Sequence, residues 1–369
     1  MNKKVFKTYL IYFIAMVLFV GVRIASSLGA FSIIKNDVLR SDIATVIIQI
    51  VIMFIIPLLL CWWLLKSKPK QTFKDFGFKK ISFKAVLICF GIGILMFFLN
   101  LIVASFFSSI LYGIGYNPSG SGGGSGYDTV WKLLDGVVFV AVLPGFCEEF
   151  LHRGLLMRKI GEQKNYKVAI IISALCFGLM HLNIEQFFYA TVLGLIIGFV
   201  GAISDSIFPC MILHFTNNFM SVYLSFAQQK GILGGDFYTR INSIYANNSP
   251  IFTFLFTLFV LVLLIVGIGY LCIKLFKNTR LKNLQESLIN VQREVSGENI
   301  EEQPEEKLST DFKSFILPHL QQNEDALSIL MPPASAEKKK STLLENIFLI
   351  GTIFMGVLIT IFTLIWGII

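Results

Sequence analysis

Six ionisable or amide side chains lie within otherwise apolar stretches of this sequence, and their residue types are those of a hydrolytic site. In chain order they form three groups: Glu148, Glu149 and Arg153; then His181; then His214 and Asn218. An ionisable side chain inside a membrane-spanning segment costs about 2.5–3.5 kcal/mol, so such residues usually serve a function. Three of the four histidines of the chain lie in this region, which favours one shared site.

The spacing of these residues indicates which of them share a helix face. Glu149 and Arg153 are four residues apart, so within a helix they can pair, neutralise each other and orient the helix. His214 and Asn218 have the same spacing, so an imidazole and an amide project together. Glu148 lies about 100° around the helix from Glu149 and can face a different cavity.

A buried carboxylate, two imidazoles and an amide are the components of a hydrolase. Glu148 is expected to act as general base on a water molecule. His181 would hold that water or transfer protons, while His214 and Asn218 would donate hydrogen bonds to the oxyanion as the scissile carbonyl becomes tetrahedral. His152, four residues after Glu148, is expected to act on that carboxylate.

A zinc site built from the same residues is the alternative mechanism. Glu148, His181 and His214 supply the ligands of a His₂Glu site, in which a divalent metal such as zinc activates the water. The sequence contains no HExxH motif, so this alternative depends on residue types alone. The six cysteines lie in apolar stretches and form no CxxC pair, which indicates buried hydrophobic residues and no cysteine metal site.

Each group also has a structural interpretation when it is considered alone. Two glutamates and an arginine at the end of a span can form an interfacial ion cluster, and a lone histidine in an apolar helix often serves as a structural hydrogen-bonding residue. His214 and Asn218 can join two helices by hydrogen bonds. Three such groups on successive helical segments are harder to explain in this way.

The composition indicates that a polytopic membrane protein positions these residues. The 369 residues are 55% hydrophobic and 15% charged, whereas a soluble domain has about 25% charged residues. The formal net charge of +8 does not indicate nucleic-acid binding, because the basic residues mostly flank apolar runs and so anchor membrane segments. The predicted partners are therefore membrane lipid and a membrane-bound peptide or protein substrate, and not nucleic acid.

Nine segments are apolar and long enough to cross a bilayer as helices of roughly 20 residues. They predict an all-α transmembrane bundle of about 8–9 spanning helices and lie near 5–27, 44–65, 84–112, 134–157, 167–183, 187–204, 206–226, 251–275 and 343–368. Lys and Arg are concentrated in every second connection. The positive-inside rule therefore predicts a multi-pass protein of the cell membrane with a cytoplasmic N-terminus and the C-terminus outside.

Five regions follow from this pattern. They are N-terminal transmembrane helices with an outer Gly/Ser-rich loop (1–130), the region of the three groups (131–226), an outer loop and eighth span (227–276), a cytoplasmic insert (277–342) and a C-terminal transmembrane helix (343–369). Within the insert, apolar residues at helical spacing over 278–295 predict an amphipathic helix, and an acidic linker follows it.

Counting residues along the spans places two of the groups at one depth. Glu148 precedes Lys164, in a turn, by 16 residues and His181 follows it by 17, so both lie about 25 Å from that turn. His214 is only about 14 Å from its own turn near Asp205. This difference requires a tilted or partly buried turn.

The three groups resemble the motifs of the CPBP family of intramembrane metalloproteases (CAAX protease and bacteriocin-processing, Abi-type), which includes the type II CAAX prenyl endopeptidases. The family pattern reads EExxxR, FxxxH and HxxxN, and it is matched here by Glu148, Glu149 and Arg153, by Phe177 and His181, and by His214 and Asn218. Their order and spacing agree with the family, and the resemblance covers about 130–225.

The resemblance implies an all-helical membrane core that hydrolyses a peptide bond near a substrate's C-terminus or beside a membrane segment. It implies that Glu148 and His181 position the water, and that His214 and Asn218 stabilise the oxyanion. The family is called a metalloprotease family, although a metal-free glutamate mechanism has also been assigned to it. The insert and the last span lie outside the resemblance.

Three functions are therefore compared. An intramembrane endopeptidase for a CAAX-type protein or a peptide precursor is favoured. A catalytically silent immunity or scaffold protein of the same fold is the alternative. An ion-coupled transporter that uses Glu148 and Glu149 as carriers is the weakest, because the two halves of the sequence contain no inverted repeat of broken helices.

Overall fold

The computed structural model describes residues 2–117, 126–282 and 342–368, and in these ranges the chain is helical and contains no strand. The helices in chain order are α1 (Lys3–Ser27), α2 (Asp37–Leu64), α3 (Pro69–Asp75), α4 (Phe83–Gly113), α5 (Val130–Gln163), α6 (Tyr166–Met180), α7 (Ile184–Ser204), α8 (Phe208–Lys230), α9 (Phe237–Asn247), α10 (Pro250–Leu281) and α11 (Leu343–Ile368). The prediction of an all-α bundle is thus confirmed.

Each of the nine predicted spans coincides with a helix. Seven helices of the described ranges are long and apolar enough to cross a membrane, namely α1, α2, α4, α5, α7, α10 and α11. The other two predicted spans correspond to α6 and α8, which are not among these seven helices. Helix α6 has 15 residues and is about 22 Å long, whereas α8 has 23 residues but includes His214, Asn217 and Asn218. The chain is a multi-pass membrane protein.

Three of the long helices contain π-helical stretches, and one of these stretches is Lys277–Leu281 at the end of α10. Helix α2 is π-helical over Ile47–Ile55, and α5 is π-helical over Val137–Val142 and again over Phe150–Met157. A π-helical turn holds an additional residue, and such turns are frequent at functional sites. The stretch Phe150–Met157 begins directly after Glu149, so the two glutamates lie at a change of helical geometry.

The turn between α7 and α8 is buried, which accounts for the unmatched depth of His214. Ser204, Ser206 and Ile207 are at most 2% exposed. Asp205 binds Arg158 Nη1 through Oδ1 at 3.0 Å and also forms an ion pair with Lys79. The turn is therefore fixed against α5 at Arg158 and not at the more distal Lys164. A partly buried turn was one of the two arrangements that the residue count requires.

The last helix is attached to the bundle by polar contacts at its first turn. Glu345 accepts a hydrogen bond from the Asn2 backbone nitrogen at 2.6 Å and from Gln163 Nε2 at 3.2 Å. Helix α11 then packs against α1, α6 and α7. Most of the predicted Gly/Ser-rich loop, the acidic linker and the predicted helix at 278–295 after Lys282 lie outside the described residues.

Candidate active site

Helices α5 and α8 approach closely at the point where α5 carries its glutamates. A Cβ atom at Gly145 would lie 3.2 Å from the Phe215 backbone nitrogen and 3.4 Å from the Met211 carbonyl oxygen. Membrane helices use such small residues to bring their backbones together. Because Gly145 precedes Glu148 by one helical turn, the contact brings the carboxylates against His214 on α8.

Glu149 and Arg153 form an ion pair that is almost fully enclosed, with 0% and 1% of their side chains exposed. The distance from Arg153 Nη1 to Glu149 Oε1 is 2.8 Å, as the i, i+4 spacing predicts. Arg153 Nη2 donates to the Gly194 carbonyl oxygen at 3.0 Å, and its Cζ lies 4.6 Å from the centre of the Phe177 ring. Arg153 therefore joins α5 to α7 and α6, in addition to balancing a buried charge.

The same glutamate orients the histidine of α8. His214 Nδ1 lies 2.8 Å from Glu149 Oε1, and the side chain of His214 is 3% exposed. An ionised carboxylate only accepts hydrogen bonds, so Nδ1 is the donor and Nε2 is the atom that remains for other partners. His214 Nε2 is 4.0 Å from Glu148 Oε2. The imidazole thus lies between the two carboxylates, and one of them fixes its orientation towards the other.

Glu148 accepts a hydrogen bond from a residue that the sequence analysis did not identify. Gln49 of α2 donates from Nε2 to Glu148 Oε1 at 2.7 Å, and both side chains are buried. The available signal was that Gln49 is the one polar residue between positions 46 and 60 of an otherwise apolar span. A polar side chain at that position must find a partner inside the bundle, because lipid offers none.

The FxxxH motif places an aromatic ring among the imidazoles. The centre of the Phe177 ring lies 5.1 Å from that of His181 and 5.5 Å from that of His214, and both pairs are edge-to-face. His181 Nδ1 is 2.9 Å from the Phe177 carbonyl oxygen, which only accepts, so Nδ1 is the donor. In the neutral ring Nε2 is then an acceptor.

His152 hydrogen-bonds to the backbone of Glu148 and not to its carboxylate. Its Nδ1 is 2.9 Å from the backbone carbonyl oxygen of Glu148. Its ring packs edge-to-face on Tyr12 and Phe177 at 5.6 and 5.3 Å between centres. His181 makes the same kind of bond, from Nδ1 to the carbonyl oxygen four residues earlier.

Asn218 is fixed at both ends of its amide. Its Oδ1 accepts from Asn217 Nδ2 at 3.0 Å, and its own Nδ2 donates to the Val140 carbonyl oxygen at 2.9 Å. An amide nitrogen carries two hydrogens, so one N–H of Asn218 remains for another acceptor. The side chain of Asn218 is partly exposed, unlike that of His214 one turn earlier.

The zinc alternative requires Glu148, His181 and His214 to converge on one ion. Within 2–117, 126–282 and 342–368, no three His, Cys, Asp or Glu side chains converge on a point that could hold a metal ion. His214 uses Nδ1 for Glu149, and its Nε2 is 4.0 Å from the nearest Glu148 oxygen. A zinc-bound imidazole also usually donates its second ring N–H to a carboxylate, so the zinc site stays a prediction from residue types, and we derive no step through a metal.

Comparison with known proteins supports the resemblance of the motifs. Residues 130–220 match the family model described as type II CAAX prenyl endopeptidase Rce1-like. The matched segment contains the three motif groups from Glu148 to Asn218, so the resemblance to the CPBP family is confirmed for this part of the chain. No curated protein and no solved structure matches the chain. At the family level, the match supports a CAAX-type endopeptidase of membranes.

Proposed function

We propose that the protein is an intramembrane endopeptidase that hydrolyses a peptide bond of a membrane-associated protein or peptide by a water molecule activated at Glu148. The observation that carries this proposal is the position of His214 between two buried carboxylates, with Nδ1 on Glu149 and Nε2 towards Glu148. Together with the match of this segment to an endopeptidase family, the arrangement supports hydrolysis more than ion transport or scaffolding.

In the proposed mechanism, Glu148 Oε2 is the general base. A separation of 4.0 Å between this oxygen and His214 Nε2 is too long for a direct hydrogen bond but suits one water molecule that contacts both atoms. His181 would accept a second hydrogen bond from this water through Nε2, because its Nδ1 is used by the Phe177 carbonyl. The lone pair of the water is then directed at the scissile carbonyl carbon.

His214 and Asn218 are the proposed oxyanion donors. Asn218 offers its second N–H, and His214 offers Nε2–H when it is protonated, while Glu149 keeps the imidazole in orientation. Donors that are fixed before the reaction stabilise the developing negative charge without reorganisation, and loss of one such donor typically reduces kcat about 10²–10³-fold. Arg153 holds Glu149 in place and does not contact the substrate.

The proton balance closes within this set of residues. Glu148 takes a proton from the water as the new carbon–oxygen bond forms. When the tetrahedral intermediate collapses, the carbon–nitrogen bond breaks and protonated Glu148 gives its proton to the leaving amine nitrogen. The carboxylate of Glu148 is restored, and the products are a new C-terminal carboxyl group and a free amine.

The substrate class follows from the location of the site. The reacting groups lie on α5, α6 and α8 inside the bundle, so a substrate must be membrane-associated to reach them. Prenylated CAAX proteins, pheromone precursors and bacteriocin-like peptides all have this property. The family match favours the CAAX-type substrates among them.

The test compares wild-type protein with Glu148→Gln, purified and reconstituted in liposomes, on a panel of lipidated and plain peptides. Mass spectrometry of the products locates the cleaved bond. We expect the wild type to cleave at least one lipidated peptide at a single bond, and Glu148→Gln to lose cleavage by at least about 10³-fold while it still folds. Equal activity of the two proteins would exclude Glu148 as the base.

A catalytically silent immunity or scaffold protein is the alternative outcome. Such a protein would cleave no member of the panel, and its cellular phenotype would persist in the Glu148→Gln variant. An ion-coupled transporter would instead show gradient-driven uptake into liposomes that Glu148→Gln abolishes. The three functions therefore give different results with one pair of proteins.

A further inference from the structure

We infer that Gln49 of α2 is a positioning residue for the reaction, which holds the Glu148 carboxylate so that its second oxygen faces the water and His214. This inference rests on the proposed function of Glu148. Gln49 lies outside the segment matched by the family model, so the role would add a further helix to the working site.

The contact is short, buried and specific in direction. Gln49 Nε2 donates to Glu148 Oε1 at 2.7 Å, with Gln49 6% and Glu148 7% exposed. Among the described residues this is the one side-chain hydrogen bond that the Glu148 carboxylate accepts. Because the carboxylate accepts, the amide nitrogen and not the amide oxygen must face it. Oε1 is thereby occupied, and Oε2 is the oxygen that lies 4.0 Å from His214 Nε2.

The other end of the amide has no partner. Gln49 Oε1 is buried and accepts no hydrogen bond. A buried unsatisfied acceptor lowers stability, so a residue chosen for packing alone would be apolar at this position, as its neighbours in α2 are. The side chain is best explained by what its N–H group does for Glu148.

Packing between α2 and α5 fixes the position of Gln49. Phe54, one turn further along α2, lies 5.1 Å from Phe146 and 4.8 Å from Phe150 between ring centres, in both cases edge-to-face. These two rings flank Glu148 on α5. Gln49 and Phe54 both belong to the π-helical stretch Ile47–Ile55, in which residues five apart lie on neighbouring turns of one face. The ring contacts therefore determine how far the amide reaches.

A positioned general base acts through the transition state more than through substrate binding. Loss of the hydrogen bond lets the carboxylate rotate, and the water then occupies a range of positions instead of the productive one. The expected consequence is a lower kcat with a nearly unchanged KM. A residue that served only stability would reduce the amount of folded protein but leave the kcat of each folded molecule unchanged.

The experiment measures kcat and KM of Gln49→Met in the liposome assay, with the peptide that the wild type cleaves and with rates normalised to folded protein. Methionine keeps the size and removes the donor, so α2 keeps its packing. We expect kcat to fall about 10- to 100-fold, as for loss of a hydrogen bond to a charged group, and KM to change less than about threefold. The matched control Met53→Leu alters another buried side chain of α2 and should retain wild-type kcat.

A second variant tests the direction of the hydrogen bond. Gln49→Glu keeps the shape but presents a second carboxylate to Glu148, so its kcat should fall at least as far as that of Gln49→Met. If Gln49→Met keeps the wild-type kcat, with or without a lower melting temperature, the positioning role of Gln49 is overturned, but the proposed function of Glu148 is not. A wild type that cleaves no peptide, or a fully active Glu148→Gln, would overturn the proposed function together with this role.

Discussion

His214 and Glu149 are joined by a 2.8 Å hydrogen bond although 65 positions separate them in the chain. The ion pair of Arg158 with Asp205 is a second contact between the same two parts of the chain. Arg158 lies nine residues after Glu149, and Asp205 lies nine residues before His214. Nine residues of helix span about 14 Å. The buried turn at Asp205 therefore sets the height at which His214 meets the two glutamates.

The Glu149–Arg153 pair should contribute strongly to stability. Glu149→Gln leaves the Arg153 guanidinium, 1% exposed, without its counter-ion, and breaking a buried pair in this way costs about 3–5 kcal/mol. Thermal unfolding in detergent should show a large fall in Tm. The control is Glu162→Gln on the same helix, whose carboxylate is 50% exposed and pairs with Lys159 at the surface. Equal effects of the two variants would contradict the enclosed position of Glu149.

Phe177 should affect catalysis without contacting the substrate. Its ring packs on His152, His181 and His214. Phe177→Leu removes the flat surface that orients these imidazoles, so we expect kcat to fall about 10- to 100-fold. Phe188→Leu is the control, because the Phe188 ring stacks on the Phe107 ring and not on these imidazoles. The centres of the two phenyl rings are 4.0 Å apart. The idea fails if both leucine variants keep wild-type rates.

The ion cluster at the buried turn should make stability depend on acidic pH. Burial raises the pKa of Asp205, but the hydrogen bonds and charges of Lys79 and Arg158 outweigh it and hold the pKa below the ordinary value of 3.8. A depressed pKa stabilises the fold above the ordinary value, and this stabilisation is lost as the pH falls through the lower folded value. The Tm difference between wild type and Asp205→Asn should be largest near pH 6 and should shrink below about pH 4.

The control for this pH dependence is Asp236→Asn, which removes an exposed ion pair with Arg240. Exposed pairs contribute little, so its melting curve should follow that of the wild type at each pH. A constant Tm difference between wild type and Asp205→Asn from pH 6 to pH 3 would be inconsistent with the depressed pKa.

A chelator should leave the cleavage rate unchanged. The expected reason is that, among the described residues, no three His, Cys, Asp or Glu side chains are placed to hold a metal ion. The measurement is the initial rate with and without a strong divalent-metal chelator. Loss of activity that added zinc restores would favour the metal mechanism and a rearranged ligand set.

The sequence alone was sufficient to place the helices of the nine predicted spans and to predict the ion pair of Glu149 with Arg153. Both depend on local rules, namely apolar length and i, i+4 spacing, which hold whatever the neighbouring helices do. The prediction that His214 requires a buried or tilted turn also came from residue counting, because helix rise is nearly constant.

Other parts of the site depend on tertiary packing, and the sequence did not predict them. The hydrogen bond from Gln49 to Glu148 joins residues 99 positions apart, and no local pattern encodes that separation. His152 donates to the Glu148 backbone carbonyl, whereas i, i+4 reasoning assigned it to the Glu148 side chain; the spacing is the same for both partners. The close approach at Gly145 is likewise a property of two helices together.

The wide turns of α5 make the length of this span as important as its residue types. A π-helical turn corresponds to one inserted residue, so deletion of a single residue within Phe150–Met157 would let the segment relax to an ordinary α-helix. The shorter α-helical segment would make about the same total rotation, so later side chains, including Arg158, would keep their direction while the backbone hydrogen-bond partners beside the glutamates would change. Deletion of one apolar residue, which no hydropathy profile would show, would thus act on the backbone next to Glu149 and leave the rest of the span in register.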